Sequence, residues 1–287
     1  MLHQSGERGR SVEVEEWQRD RKDRHMRLGL GVNVVWPNQD ANVEGILALA
    51  EEAVDQGAEM ILFGEAAVTG LITTDDEVAD LAHGTTIPGP LTARLATWAA
   101  TRRVWLGFGL LERDGKGLYD SAVLISDAGR IVLHYRRVES HWHGPLANPA
   151  VYRQGAVVPV TVTPWGRVAF LICGDLWDDD VLALGREAAP DLLLYPFART
   201  FGAPAEPRAQ ARWNEEDMED YAARIELVGC PGAMVNYLAH PSLGGPSAGC
   251  FGGAWMVGRD GVVAAEWPLG QPGVLIADIP MPSLKLR

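Results

Sequence analysis

Val168-Ala169-Phe170-Leu171-Ile172 is an unbroken apolar run, and it stops at Cys173-Gly174-Asp175-Leu176-Trp177. A strand-length run with no polar residue has no face to give to water, so it belongs in a sheet covered on both sides. The acids Asp178, Asp179 and Asp180 that follow suit the positive end of a helix. This order places Cys173 at the carboxyl end of a buried strand. Open α/β sheets hold their chemistry there, and a thiol near a helix N-terminus ionises readily. A buried core cysteine is the alternative, and this stretch alone leaves both readings open.

The rest of the chain reads as α/β. Residues 27–36 form a first strand, and Asn38 or Asp40 can cap the next helix. Val43, Ile46, Leu47, Ala50 and Val54 lie on one face of that helix, which Gly57 ends. Residues 60–63 are a second buried strand, with Gly64-Glu65 at its end. Leu91, Leu95 and Trp98 mark a helix, followed by strands over 104–112 and 119–126. Asp127-Ala128-Gly129 turns the chain into a strand over 130–135. A long loop, 136–155, precedes a strand pair over 157–163 and 168–172. A strand over 191–195 and a helix marked by Met218, Tyr221, Ala222 and Ile225 come next. Strands over 233–237, 251–257, 262–267 and 274–279 close the chain. No composition break follows residue 26, so residues 27–287 read as one domain. Residues 1–26 alternate in charge without an apolar core, which predicts a flexible charged arm rather than a signal peptide.

Charge and cysteine usage narrow the function. A net charge of −13 with no basic patch argues against nucleic acid. No apolar run approaches the ~18 residues of a membrane span. Cysteines at 173, 230 and 250 make neither a disulfide framework nor a metal motif, which fits a reduced, cytoplasmic setting. His141-Trp142-His143 offers two nitrogen ligands without a supporting H-E-x-x-H or C-x-x-C, so no metal is expected. Gly245-Pro246-Ser247-Ala248-Gly249 matches G-x-S-x-G but lacks the strand before it and the helix after it. Gly29-Leu30-Gly31 and Gly107-Phe108-Gly109 lack a third glycine and lie inside strands, where close packing explains them.

Glu65 ends a buried strand as Cys173 does. A carboxylate there is either an ion-pair partner or a base with a raised pKa. Paired with Cys173 it gives a thiol nucleophile and an acid–base group. Tyr135-Arg136-Arg137 supplies a cation for oxyanion charge, with Arg136 reading as a surface ion pair.

Taken in this order, these segments resemble the nitrilase superfamily of carbon–nitrogen hydrolases, which uses a Glu–Lys–Cys set. Leu62-Phe63-Gly64-Glu65, Tyr135-Arg136-Arg137 and Cys173-Gly174-Asp175 are similar to its three catalytic contexts. Ala189-Pro190-Asp191-Leu192-Leu193, Ala223-Arg224-Ile225-Glu226, Val235-Asn236 and Phe251-Gly252-Gly253-Ala254 are similar to its other signatures, from about 27 to 278. The resemblance implies a four-layer αββα sandwich that pairs into homodimers or larger homo-oligomers, with no cofactor. It implies a Cys173 thioester, Glu65 as the proton carrier, and a cation plus the Gly174 N–H on the oxyanion.

Two positions depart from the family. Arg137 stands where the lysine is expected, and Asn148 stands where a second glutamate commonly precedes an element matched by Tyr152-Arg153-Gln154-Gly155. Arg137 keeps the charge but cannot release a proton, and its fork suggests a bidentate clamp that would depress the Glu65 pKa. Trp142, His143, Trp177 and Phe197 are the candidate pocket residues, and the three aromatics Trp142, Trp177 and Phe197 are equally at home in a core. The expected activity is hydrolysis of a small amide, carbamoyl compound or nitrile. A catalytically silent, ligand-binding member of the fold and an acyltransferase are the alternatives.

Overall fold

Alternation along the strands decides the layering. In β1 (His25–Val32), Met26, Leu28, Leu30 and Val32 enter one core. Met60 and Leu62 of β3 (Met60–Phe63) join them, while Ile61 and Phe63 turn to the opposite face. There they meet Val43, Ile46, Ala50 and Ala53 of α1 (Gln39–Asp55). β5 (Gly117–Ile125) splits the same way, Ala122 and Leu124 against Val123 and Ile125. Strands apolar on both faces are thereby covered on both faces. The computed structural model describes residues 25–201, 209–245 and 248–280.

The first sheet runs β14 (Gly273–Pro280), β1, β3, β4 (Trp105–Asp114), β5, β6 (Ile131–Arg136). The second runs β13 (Val263–Trp267), β12 (Ala254–Val257), β10 (Gly232–Asn236), β9 (Leu192–Phe197), β8 (Gly166–Phe170), β7 (Val160–Thr163). A two-stranded ribbon joins β2 (Val34–Val35) to β11 (Leu238–Ala239). The two sheets share a core, and helices cover their outer faces. On the first sheet lie α1 and α3 (Pro90–Arg102), with Leu95 and Ala99 in its cluster; α2 (Glu77–His83) is a short helix between them in sequence. On the second lie α4 (Asp179–Glu187), whose Gly185 rests on Leu171, and α5 (Met218–Val228), whose Ile225 rests on Gly232. A helical turn, Ala209–Arg212, and a π-helical turn, Trp213–Asp217, lead into α5. The architecture is the expected four-layer αββα sandwich.

Local chemistry sets the element ends. The Asn38 side chain accepts the Ala41 N–H at 3.0 Å and opens α1, and Asp178 caps α4 by accepting from Asp180 and Val181 at 3.0 and 3.1 Å. Some boundaries differ from the sequence reading. β1 begins at His25 with Met26 fully buried, so the first strand reaches two residues further back than the expected 27; the rest of the charged arm lies outside the described residues. The strand expected at 251 begins at Ala254, because Gly252 and Gly253 adopt φ of +76° and +99° and break the pleat. Pro246 and Ser247 of the G-x-S-x-G match are also outside the described residues. No described helix is long and apolar enough to cross a membrane.

Candidate active site

Glu65 is placed by backbone contact. β3 ends at Phe63, and a Cβ on Gly64 would lie 3.1 Å from the Tyr237 nitrogen. A Cβ on Gly109 of β4 would lie 2.4 Å from the Ala66 nitrogen and 2.8 Å from the Glu65 Cα. Only a glycine lets β4 close on this turn, so the close-packing reading of Gly107-Phe108-Gly109 holds. Ala66 takes up a left-handed φ of +46°, and the Glu65 side chain has no accessible surface. Burial pushes the Glu65 carboxyl up to about 8; Cys173 adds to that, while Arg137 and a hydrogen bond with Asp120 pull against it.

Cys173 follows β8 at the start of a 3₁₀ turn, Cys173–Trp177, with φ of +43°. A non-glycine residue there costs roughly 1–3 kcal/mol and needs support from its surroundings. Tyr195 supplies part of it, its hydroxyl donating to the Cys173 carbonyl at 2.7 Å. Asp175 supplies the rest. Its Oδ2 accepts from the Ile172 N–H at 2.9 Å and the Tyr135 hydroxyl at 2.6 Å; its Oδ1 accepts from Val138 and Glu139 N–H at 3.0 and 2.8 Å. One carboxylate thus ties the cysteine turn to the segment leaving β6. Burial raises the Asp175 pKa, and Arg137 and these donors pull against it.

Arg137 joins the two halves. Its Nη1 donates to Glu65 Oε1 at 2.9 Å and lies 3.4 Å from Asp120 Oδ2, and its Nη2 donates to Glu139 Oε2 at 2.5 Å. The expected bidentate clamp on Glu65 is therefore not formed, because Glu139 takes the other arm of the fork. The expected depression of the Glu65 pKa is reversed as well, since burial outweighs the one-armed contact. Arg136 pairs with Glu112 and Asp114 instead, as an ion-pair residue. A Cβ on Gly174 would lie 2.1 Å from Glu139 Oε2 and 2.2 Å from Arg137 Nη2, so Gly174 packs directly on the charged cluster.

Glu65, Arg137, Cys173 and Gly174 are thus brought together. The other candidates separate. Trp142 is buried in a side cluster with Tyr152 and Leu71, and Phe197 has no accessible surface among Tyr195, Trp213 and Trp255, so neither offers surface to a substrate. Their apolar bulk is used in packing. Asn148 is exposed, donates to Glu77 and accepts from the Ala150 N–H. His143 is half-buried against Trp142 and Tyr152, and Trp177 is exposed over Tyr221. Glu139 and Asp120 are the site residues that sequence reading missed. Both had a signal: Glu139 lies two residues past Arg137, on the same side of an extended chain, and Asp120 is an acid inside the apolar strand β5. Among the described residues, no three His, Cys, Asp or Glu side chains group as ligands for a metal ion.

Known proteins are similar to this chain in fold and in sequence. The chain superposes on an amidase from Nesterenkonia sp. with a TM-score of 0.72 at 22% identity, over 93% of this chain and 94% of that one. A mutant of the amidase from Nesterenkonia sp. AN1, with the acetamide moiety of fluoroacetamide added covalently at its active-site cysteine, superposes with a TM-score of 0.71 at 22% identity, over 89% and 91%. A bifunctional nitrilase/nitrile hydratase of Oryza sativa subsp. japonica is 28% identical over 163 residues, which cover 49% of this chain and 44% of that protein. The nitrilase and fragile histidine triad fusion protein of Drosophila melanogaster is 26% identical over 191 residues, covering 63% and 40%. The chain therefore spans less than half the length of these curated relatives. The sequence profile described as carbon-nitrogen hydrolase matches residues 28–286, and the chain belongs to that family.

Proposed function

We propose that the protein hydrolyses a non-peptide C–N bond in a small amide, carbamoyl compound or nitrile, through a thioester on Cys173. The observation that carries this reading is the buried contact of Glu65 with both Arg137 and Cys173. On an amide, the Cys173 sulfur attacks the carbonyl carbon and Glu65 takes the thiol proton. Burial raises the Glu65 carboxyl to about 8, which makes it a stronger base for that proton than an ordinary carboxylate. Glu65 then delivers that proton to the leaving nitrogen as the C–N bond breaks. It next takes a proton from water, whose oxygen attacks the thioester, and returns the proton to sulfur as the C–S bond breaks. Arg137 Nη2 and the Gly174 N–H are the candidate oxyanion donors; losing such a donor costs roughly 10²–10³ in rate. Arg137 cannot take part in proton transfer. The covalent acetamide adduct of the Nesterenkonia amidase supports a nucleophilic cysteine at this position of the fold.

The test is the pH dependence of iodoacetamide alkylation, read by intact mass, in wild type, Glu65→Gln and Arg137→Ala, followed by ammonia release from an amide panel. The expected result is fast labelling of Cys173 alone near neutral pH, slowed in both variants, with turnover of some amide. Equal, slow labelling of all three cysteines without turnover would overturn the reading in favour of a silent, ligand-binding protein.

A further inference from the structure

Four carboxyl groups surround the single guanidinium of Arg137. Glu65, Asp120 and Asp175 are essentially inaccessible, and Glu139 is nearly so. One cation cannot balance four charges in such a place. Two of the four are provided for. Asp175 accepts four hydrogen bonds, the coordination of an ionised carboxylate. Glu139 has Arg137 Nη2, the His141 N–H and the His141 ring.

Glu65 and Asp120 are not. They share only Arg137 Nη1, at 2.9 and 3.4 Å. Glu65 Oε2 and Asp120 Oδ1 are buried and receive no donor from the protein, yet the two carboxyls are within hydrogen-bonding reach of each other. Two ionised carboxylates in that position repel. One proton between them removes the repulsion and lets one carboxyl donate to the other. The shorter Nη1 contact places the charge on Glu65 and the proton on Asp120.

We propose that Asp120 is a neutral carboxylic acid that keeps its proton while Glu65 titrates, and that it holds the Glu65 carboxylate by donating a hydrogen bond to it. Asp120 is thus a positioning residue that acts through Glu65. The groups facing this pair are Arg137, Cys173 and Asp175, with Glu139, Tyr135 and Tyr195 behind them. Burial raises the Asp120 pKa well above the usual carboxylate range, and the Glu65 charge adds to it. The inference concerns the same site as the proposed hydrolysis but does not depend on turnover.

Infrared spectra of wild type carrying ¹³C-aspartate, taken at pH 7 and 9 beside Asp120→Asn, test it. The expected result is a protonated carboxylic-acid band at both pH values that shifts with the aspartate label and is missing from Asp120→Asn. In the same variant the acid limb of the Cys173 alkylation profile moves by less than about half a pH unit, because one neutral donor replaces another. A labelled wild type with no such band overturns the proposal. So does an acid limb that falls by about a pH unit or more, the result of removing an ionised neighbour. If Asp120→Asn does not fold, the labelled wild-type spectrum decides alone. The band persists even where Cys173 proves unreactive, so the two proposals fail separately.

Discussion

Glu65→Gln is expected to stabilise the protein while abolishing its chemistry. The ordinary carboxyl value is 4.5, and burial first, then Cys173, raises Glu65 to about 8. Between these values the folded protein keeps a proton that the unfolded chain has lost. Stability therefore falls as pH rises from 4.5, and the loss is complete above 8. A span of 3.5 pH units at 1.36 kcal/mol each gives about 5 kcal/mol as an upper figure. The group is fully buried, so solvent does not screen this away. Glutamine has the shape of the protonated acid and accepts from Arg137, but it cannot ionise. The lost ion pair does not cancel the gain, because the pull of Arg137 is already contained in a value near 8. Urea unfolding at pH 5, 7 and 9 is the assay. The variant should nearly match wild type at pH 5 and exceed it by several kcal/mol at pH 9. In a Cys173→Ala background the gap should narrow. A variant weaker by about 3–5 kcal/mol at every pH would refute the reasoning, since that is the cost of breaking a buried ion pair that carries the native charge.

Gly174→Ala places a methyl 2.1 Å from Glu139 Oε2 and 2.2 Å from Arg137 Nη2; because both ends are locked together, it should cost about 1–3 kcal/mol by urea unfolding and about 10²-fold in the Cys173 alkylation rate. Gly185→Ala, whose nearest contact would be Leu171 at 3.2 Å, is the tolerant control in the same assays. Arg137→Lys should slow alkylation by about tenfold or more, since one ammonium loses an arm of the fork that holds both Glu65 and Glu139. Glu112 is held at about 2 against an ordinary 4.5, as His134, Arg136 and Ser121 outweigh its burial. That stability is present above pH 4.5 and lost as pH falls toward 2, so Glu112→Gln should cost about 3 kcal/mol at pH 7 and almost nothing near pH 2, read from urea midpoints.

The layers were legible because apolar alternation and unbroken runs report burial directly. The strand before Gly64-Glu65 ended at Phe63 as the pattern said, whereas the strand expected to run to Ile172 ends at Phe170, and both glycine pairs proved to be close-packing positions. The side-chain roles were less legible. Phe197 and Trp142 are large and apolar, and an aromatic in a core looks the same in sequence as one lining a pocket. Asn148 was placed by spacing along a loop, but carboxylates are delivered to a site through space. Glu139 arrives there because it leaves β6 two residues beyond Arg137 and its backbone is pinned by Asp175. The splitting of the guanidinium fork depends on that arrival, so no reading of Arg137 alone finds it.

An arginine at this place in the site decides which groups can move protons. A lysine in a buried site can lose its charge, whereas Arg137 holds one positive charge at every working pH. The mobile protons of the cluster then reside on Cys173 and Glu65. With Asp175 and Glu139 both ionised, Arg137 is already outnumbered, and a second charge beside Glu65 would raise the cost of forming the Glu65 carboxylate. A neutral Asp120 avoids that cost and offers Glu65 the donor that Arg137 Nη2, committed to Glu139, does not supply. Fixed cation, second carboxylate and protonated aspartate therefore work as one arrangement: removing the cation, or ionising the aspartate, changes the pH at which Glu65 can take the Cys173 proton.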